Sequence, residues 1–138
     1  MNKNKNIGTA KIISILFCTL TVCLLAVLIG VKTYTGGQIK TISSIYTAVS
    51  HGIYDDYKEC FAAGSDYLSE KQFDELCSDY ERNWGEDFSL SVKYLSREKA
   101  QEGYNVTVKL TVYNEKEHEN SNVCFFMKRQ NGKWVIME

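Results

Sequence analysis

His51 and His118 are the two side chains of this 138-residue chain whose ordinary pKa lies near neutrality. His51 precedes Gly52 on the polar side of an apolar periodicity. His118 lies in the charged stretch Glu115-Lys116-Glu117-His118-Glu119. Acid–base catalysis needs such a ring held beside a reacting group in a pocket, and a metal needs several ligands converging from a rigid frame. Neither histidine has a partner at a useful spacing, so both read as solvated. Asp55-Asp56 and Asp66 are the candidate paired carboxylates, which do acid–base work only where a dry site drives their pKa values apart. They fall at a helix end and in the turn after it, where Asp serves solubility and capping. No catalytic, cofactor-binding or metal-ligating residue emerges, and the expectation is a protein that is not an enzyme and carries no cofactor.

The cysteines and aromatics offer binding chemistry instead. Cys60 and Cys77 lie on the apolar stripes of two successive helical segments, and Cys124 lies in a strand-like segment. A Cys60–Cys77 disulfide would close a loop of about 17 residues, worth roughly 3 kcal/mol in the chain-entropy model. Three cysteines is an odd number, and three buried thiols is the alternative. Tyr46, Tyr54, Tyr57, Tyr67 and Tyr80 are many for two helices. A cone between helices and sheet that accepts an apolar ligand would be lined by Tyr46, Tyr57, Tyr80, Trp84, Phe125 and Trp134, with hydroxyls as polar handles. Simple core packing is the competing reading. Asn105-Val106-Thr107 matches a glycosylation sequon, but it sits inside a strand pattern and reads as chance.

The largest bulk signal is the run IISILFCTLTVCLLAVLIGV at residues 12–31, twenty residues without a charge. As a helix it would span about 30 Å, the thickness of a bilayer core. Lys3, Lys5 and Lys11 precede it and Lys32 closes it, which by the positive-inside preference places the N-terminus in the cytoplasm and the rest outside. A cleaved signal would have a shorter apolar core. A lipoprotein would have a small residue before its modified cysteine, whereas Phe17 precedes Cys18 and Val22 precedes Cys23. A retained, single-pass anchor is therefore expected, with Cys18 and Cys23 as apolar filler. From residue 33 onward, twelve basic residues against seventeen acidic ones leave −5. An acidic domain argues against nucleic-acid binding, which needs clustered Lys and Arg. The expected organisation is a basic stub at 1–11, an anchor at 12–31, a short linker at 32–38 broken by Gly36-Gly37, and one extracytoplasmic domain at 39–138.

Within that domain, Ile39, Ile42, Tyr46, Val49, Ile53, Tyr57 and Cys60 recur at steps of three and four, predicting one helix over 39–61. Ser69 and Gln72 form a capping-box pattern, with Leu68 and Phe73 at the staple positions. The stripe Phe73, Leu76, Cys77, Tyr80 and Trp84 follows, and Gly85 stops the helix. After Gly85 the period becomes two. Strands are expected over 88–94, 104–112, 123–130 and 133–138, with polar connections at 97–103 and 114–121. Asn131-Gly132 is a strong hairpin signal. Its two-residue loop sets Gln130 opposite Lys133, Arg129 opposite Trp134 and Met127 opposite Ile136. Phe125, Met127, Trp134 and Ile136 then share a face toward the helices, and Arg129 is placed to stack on Trp134. The fold class is α+β: an N-terminal transmembrane helix, then two amphipathic helices packed on a curved four-stranded antiparallel sheet.

Two phrases carry a family likeness. The segment Tyr46-Thr47-Ala48-Val49-Ser50-His51-Gly52-Ile53-Tyr54-Asp55-Asp56-Tyr57 resembles the first-helix ending of many bacterial members of the cystatin-like/nuclear-transport-factor-2-like superfamily. Lys128-Arg129-Gln130-Asn131-Gly132-Lys133-Trp134-Val135-Ile136 is similar to its last hairpin. The order of elements over 39–138 supports the same resemblance. It implies a small membrane-anchored bacterial member. The superfamily holds isomerases and cyclases as well as non-catalytic modules, among them inner-membrane subunits of conjugative secretion systems. No catalytic residue carries over. The expected function is a non-catalytic binding or assembly module contacting a protein partner or an apolar ligand near the membrane surface. The alternative is a small extracytoplasmic isomerase- or cyclase-like enzyme with its pocket in the cone. The inward strand positions carry Phe, Leu, Val, Met, Ile and Trp with no acid or histidine, which favours the module.

Overall fold

The computed structural model of the protein describes residues 35–137. The apolar run at 12–31 lies outside them; among the described residues no helix is long and apolar enough to cross a membrane. Residues 35–51 form the first helix, α1. It faces inward with Gln38, Ile42, Ile45, Ala48 and Val49, all buried at helical spacing. The Gly36-Gly37 pair, expected to break a linker, lies within this helix. Gly37 is there because the chain is crowded at that point: a Cβ on it would lie 2.8 Å from Cδ1 of Trp134.

The single helix expected over 39–61 is broken in two. Gly52 adopts φ +65°, its N–H donates to Val49 O at 3.3 Å, and the Ile53 N–H donates to Ala48 O at 2.9 Å. This is the Schellman arrangement that closes a helix end with a left-handed glycine. Ile53, placed by its spacing on the apolar stripe, is accordingly 44% exposed. The chain restarts as α2, Tyr54–Lys58, which buries Tyr57. Helix α3, Glu70–Trp84, starts at the predicted capping box. Ser69 Oγ accepts from the Gln72 N–H at 3.4 Å and the Ser69 N–H donates to Gln72 Oε1 at 3.0 Å. Gly85, at φ +86°, closes the helix.

The sheet is an antiparallel meander in the order β1-β2-β3-β4: Ser89–Lys99, Tyr104–Tyr113, His118–Gln130 and Lys133–Ile136. The last hairpin has the predicted register, Gln130 opposite Lys133, Arg129 opposite Trp134 and Met127 opposite Ile136. Asn131 and Gly132 both have positive φ, as a type I′ turn demands. The first and third strands run further than hydropathy indicates. Residues 96–99 and 118–122 pair through their backbones with polar, mostly exposed side chains, so no alternation announces them. A register shift between Tyr94 and Ser96 marks a bulge in β1, where such strands bend. The outer edge of β4 is covered by the chain after α2. Ile136 N–H donates to Cys60 O and Ala62 N–H to Ile136 O, each at 2.9 Å.

The architecture is thus α+β, with helices packed on one face of a four-stranded antiparallel sheet. Phe73, Ile42, Met127, Ile136, Val106 and Val108 form its fully buried centre. A second cluster, Phe88 with Leu110 and Val112, sits under Tyr80 and Trp84.

Candidate functional site

A groove of about 580 Å³ opens between α1, α2 and the β3–β4 turn. Its α1 wall is Gly37, Lys40, Thr41, Ser44 and Thr47, residues that helical spacing puts on one side. Asp56, Glu59 and Cys60 form the second wall, and Gly132, Lys133 and Trp134 the third. The frame is held tightly. Thr41 Oγ1 donates to Trp134 O at 3.0 Å and lies 3.3 Å from Gly37 O. Tyr104 meets Trp134 edge-on at 5.8 Å, and the Arg97 guanidinium lies 4.6 Å from the centre of the Tyr104 ring. The cation stacked on Tyr104 is thus Arg97. Arg129 folds back, its Nε donating to Gly132 O at 3.3 Å.

Lys40, Asp56, Glu59 and Lys133 are all exposed. The ion pairs among the described residues are elsewhere, at Lys71–Glu75, Asp79–Arg82 and Glu102–Lys128. Cys60 closes the groove floor. Its thiol donates to Asp56 O at 3.4 Å. Burial, reinforced by the Asp56 and Glu59 carboxylates, pushes its pKa up to about 11. It stays a thiol at neutral pH and is a poor nucleophile.

Of the six residues expected to line a cone, only Trp134 borders this groove. Of the others, Tyr57 is buried, and Tyr46, Tyr80, Trp84 and Phe125 are half-buried and pack against the core. Tyr46 meets Phe125 edge-on at 6.4 Å, and burial pushes its phenol up to about 12. Tyr57 packs 4.9 Å from both Phe61 and Phe73, and its hydroxyl accepts from the Leu68 N–H at 3.4 Å. Tyr80 stacks on Phe88 at 5.5 Å. Trp84 packs against the same cluster, and its carbonyl accepts from Asn114 Nδ2 at 2.8 Å. The buried polar side chain of the interior is Gln38, whose amide oxygen and nitrogen both lack a hydrogen-bond partner. Hydropathy gives no sign of it, because a polar side chain at the head of an apolar stripe reads as the linker before the helix.

Cys60, Cys77 and Cys124 are free thiols, and no disulfide joins Cys60 to Cys77 in this structure. The Cys77 thiol instead donates to Val49 O at 3.4 Å, and burial raises its pKa. Cys124 is exposed. His51 is exposed on α1 with Nδ1 2.8 Å from Thr47 O, and His118 opens β3 opposite Tyr113. Asp55 and Asp56 occupy the first turn of α2, and Asp66 is exposed in the following connection. Among the described residues no group of three or more His, Cys, Asp or Glu is gathered as a metal site.

Spatial order and meander topology define the cystatin-like, nuclear-transport-factor-2-like fold. Solved structures bear this out. One is a protein of unknown function with a cystatin-like fold from Nostoc punctiforme, with TM-score 0.59 and 11% identity, covering 75% of this chain and 85% of that one. Another is an NTF-2-like protein of unknown function from Shewanella oneidensis, with TM-score 0.50 and 13% identity, covering 75% and 94%. A third, an Rd1NTF2 variant, gives TM-score 0.52 and 15% identity over 72% and 91%. No family model matches the sequence, and no curated protein does. At these identities the likeness concerns the fold.

Proposed function

We propose that the domain is a non-catalytic binding module, carried on the outer face of a membrane by the apolar run at 12–31 and contacting a protein partner there. The observation that supports this reading is the apolar packing between helices and sheet, where no acid or histidine is buried among the described residues. Where an isomerase or cyclase of this fold would need a pocket with a strongly perturbed acid or base, this domain packs Tyr46, Phe73, Phe125, Met127 and Ile136 against one another. The chemistry available to the domain then lies on its surface. The histidines His51 and His118 are exposed on different elements.

The test is complementation of a deletion strain with a scorable phenotype. His51→Ala and His118→Ala variants should restore wild-type behaviour. A variant that inserts and folds normally yet fails would overturn the non-catalytic reading and reopen the isomerase-like alternative around that residue. A reporter fused after Glu138 should be active only on the exported side; activity in the cytoplasm would overturn the membrane placement.

A further inference from the structure

We propose that the groove between α1, α2 and the β3–β4 turn binds a small zwitterion of the phosphoethanolamine class, its phosphate on Lys40 and Lys133 and its ammonium on Asp56 and Glu59. The argument begins with the way charge is sorted. The cations come from α1 and the hairpin turn, and the anions from Asp56 of α2 and its C-cap residue Glu59, three residues apart. All four border the same groove, and none forms an ion pair with another described residue. A ligand of one sign would satisfy one wall and meet like charge on the other. A zwitterion satisfies both.

The residue types narrow the anion. Planar carboxylates are best gripped by the fork of an arginine, whereas lysine acts as a point charge that suits phosphate. This groove has two lysines and no arginine. A volume of about 580 Å³ falls within the roughly 300–1,000 Å³ usual for small-molecule sites. The half-buried Trp134 offers an apolar surface on the same groove. The walls are preorganised by the Thr41–Trp134 hydrogen bond and the Gly37–Trp134 contact.

The same chemistry exists free in solution and as a lipid headgroup. Lys40 follows the apolar run by nine residues in the sequence. The bilayer as source rests on the anchor reading of residues 12–31; the groove assignment does not.

The experiment uses the full chain in phosphatidylglycerol nanodiscs, titrated with glycerophosphoethanolamine and separately with glycerol 3-phosphate. Backbone amide resonances report binding. Glycerophosphoethanolamine should saturate and shift Gly132 and Lys133. Asp56→Asn with Glu59→Gln should weaken it tenfold or more, while glycerol 3-phosphate binds no more weakly than before, since like charge has been removed from its surroundings. Lys40→Gln with Lys133→Gln should weaken both. All four side chains are exposed, and the amide spectrum itself verifies folding of each variant. Absence of saturable binding, equal affinity for the two probes, or indifference to the carboxylate changes would overturn the proposal. Repeating the titration in phosphatidylethanolamine nanodiscs separates the sources. A threefold or greater loss of apparent affinity identifies the lipid headgroup, and an unchanged affinity identifies the free molecule. Failure of the topology reporter would leave the outcome of the first titration standing.

Discussion

Gly37 and Trp134, nearly a hundred residues apart, are in such close approach that a Cβ on Gly37 would sit 2.8 Å from Cδ1 and 3.2 Å from Nε1 of the indole. Gly36, its neighbour in the same helix, has nothing within 4 Å of a built Cβ. Two adjacent glycines in α1 therefore face opposite physical demands.

Replacing each by alanine should separate them. Gly36→Ala removes backbone entropy from the unfolded chain and should stabilise by about 0.5 to 1 kcal/mol. Gly37→Ala gains the same propensity but must displace the Trp134 ring, and should cost about 1 to 3 kcal/mol. Urea denaturation midpoints of the two variants should move in opposite directions. A stabilised Gly37→Ala would show that the indole moves freely.

Among large-to-small changes, Phe73→Ala should be the more damaging. Its ring is fully buried between Tyr54 and Tyr57, and its loss should cost about 3 to 5 kcal/mol. Trp134 is only half-buried at the groove, so Trp134→Ala should cost less, about 2 to 3 kcal/mol. Paired denaturation curves give the order directly, and the reverse order would contradict this core.

Gly132→Val should cost at least about 1 to 2 kcal/mol through backbone conformation alone. Gly132 has φ +81° and open space around it, so no clash contributes. A Gly132→Asn variant, whose side chain tolerates positive φ, should recover most of that stability. Equal losses for Val and Asn would mean that the turn conformation is not what matters.

Alkaline pH should weaken the domain, and Cys60 should be one reason. Its folded pKa, about 11, lies above the ordinary 9.0 because the site is buried beside Asp56 and Glu59. Between those values the folded state binds more protons than the unfolded one, so stability falls as pH rises. The contribution is complete below about pH 9 and is lost on passing through about 11. Tyr46, raised from 10.0 to about 12, adds a further decline at higher pH. Denaturation midpoints followed from mildly alkaline pH up to about 11 should fall, and Cys60→Ala should flatten the lower part of that fall. In a Cys18→Ser, Cys23→Ser background, maleimide at near-neutral pH should label exposed Cys124 well before Cys60 or Cys77.

Local signals were legible wherever the chemistry was local. Ser69 and Gln72 announced the start of α3 because a capping box is satisfied within four residues. Asn131-Gly132 set the register of the last hairpin because a two-residue turn leaves no freedom in pairing. The polar ends of β1 and β3 were hidden because their pairing is made by backbone groups that carry no side-chain signature. The break at Gly52 was hidden by apolar Ile53, Tyr57 and Cys60, whose spacing continues the α1 stripe across it even though the chain turns.

What the sequence by itself determined is the kind of domain: helices with one apolar face, a meander of alternating strands, and the order that makes them an α+β fold. Apolar period and turn chemistry act over a few residues, and both are written in the chain. What only the tertiary structure decided is where the open surface lies. Whether Tyr46, Tyr57 and Tyr80 line a cavity or fill it depends on the distance between helices and sheet, which no local pattern encodes. The groove joins Lys40, Asp56 and Lys133, residues far apart in the chain. The folding back of α2 and the approach of Trp134 to Gly37 bring them together.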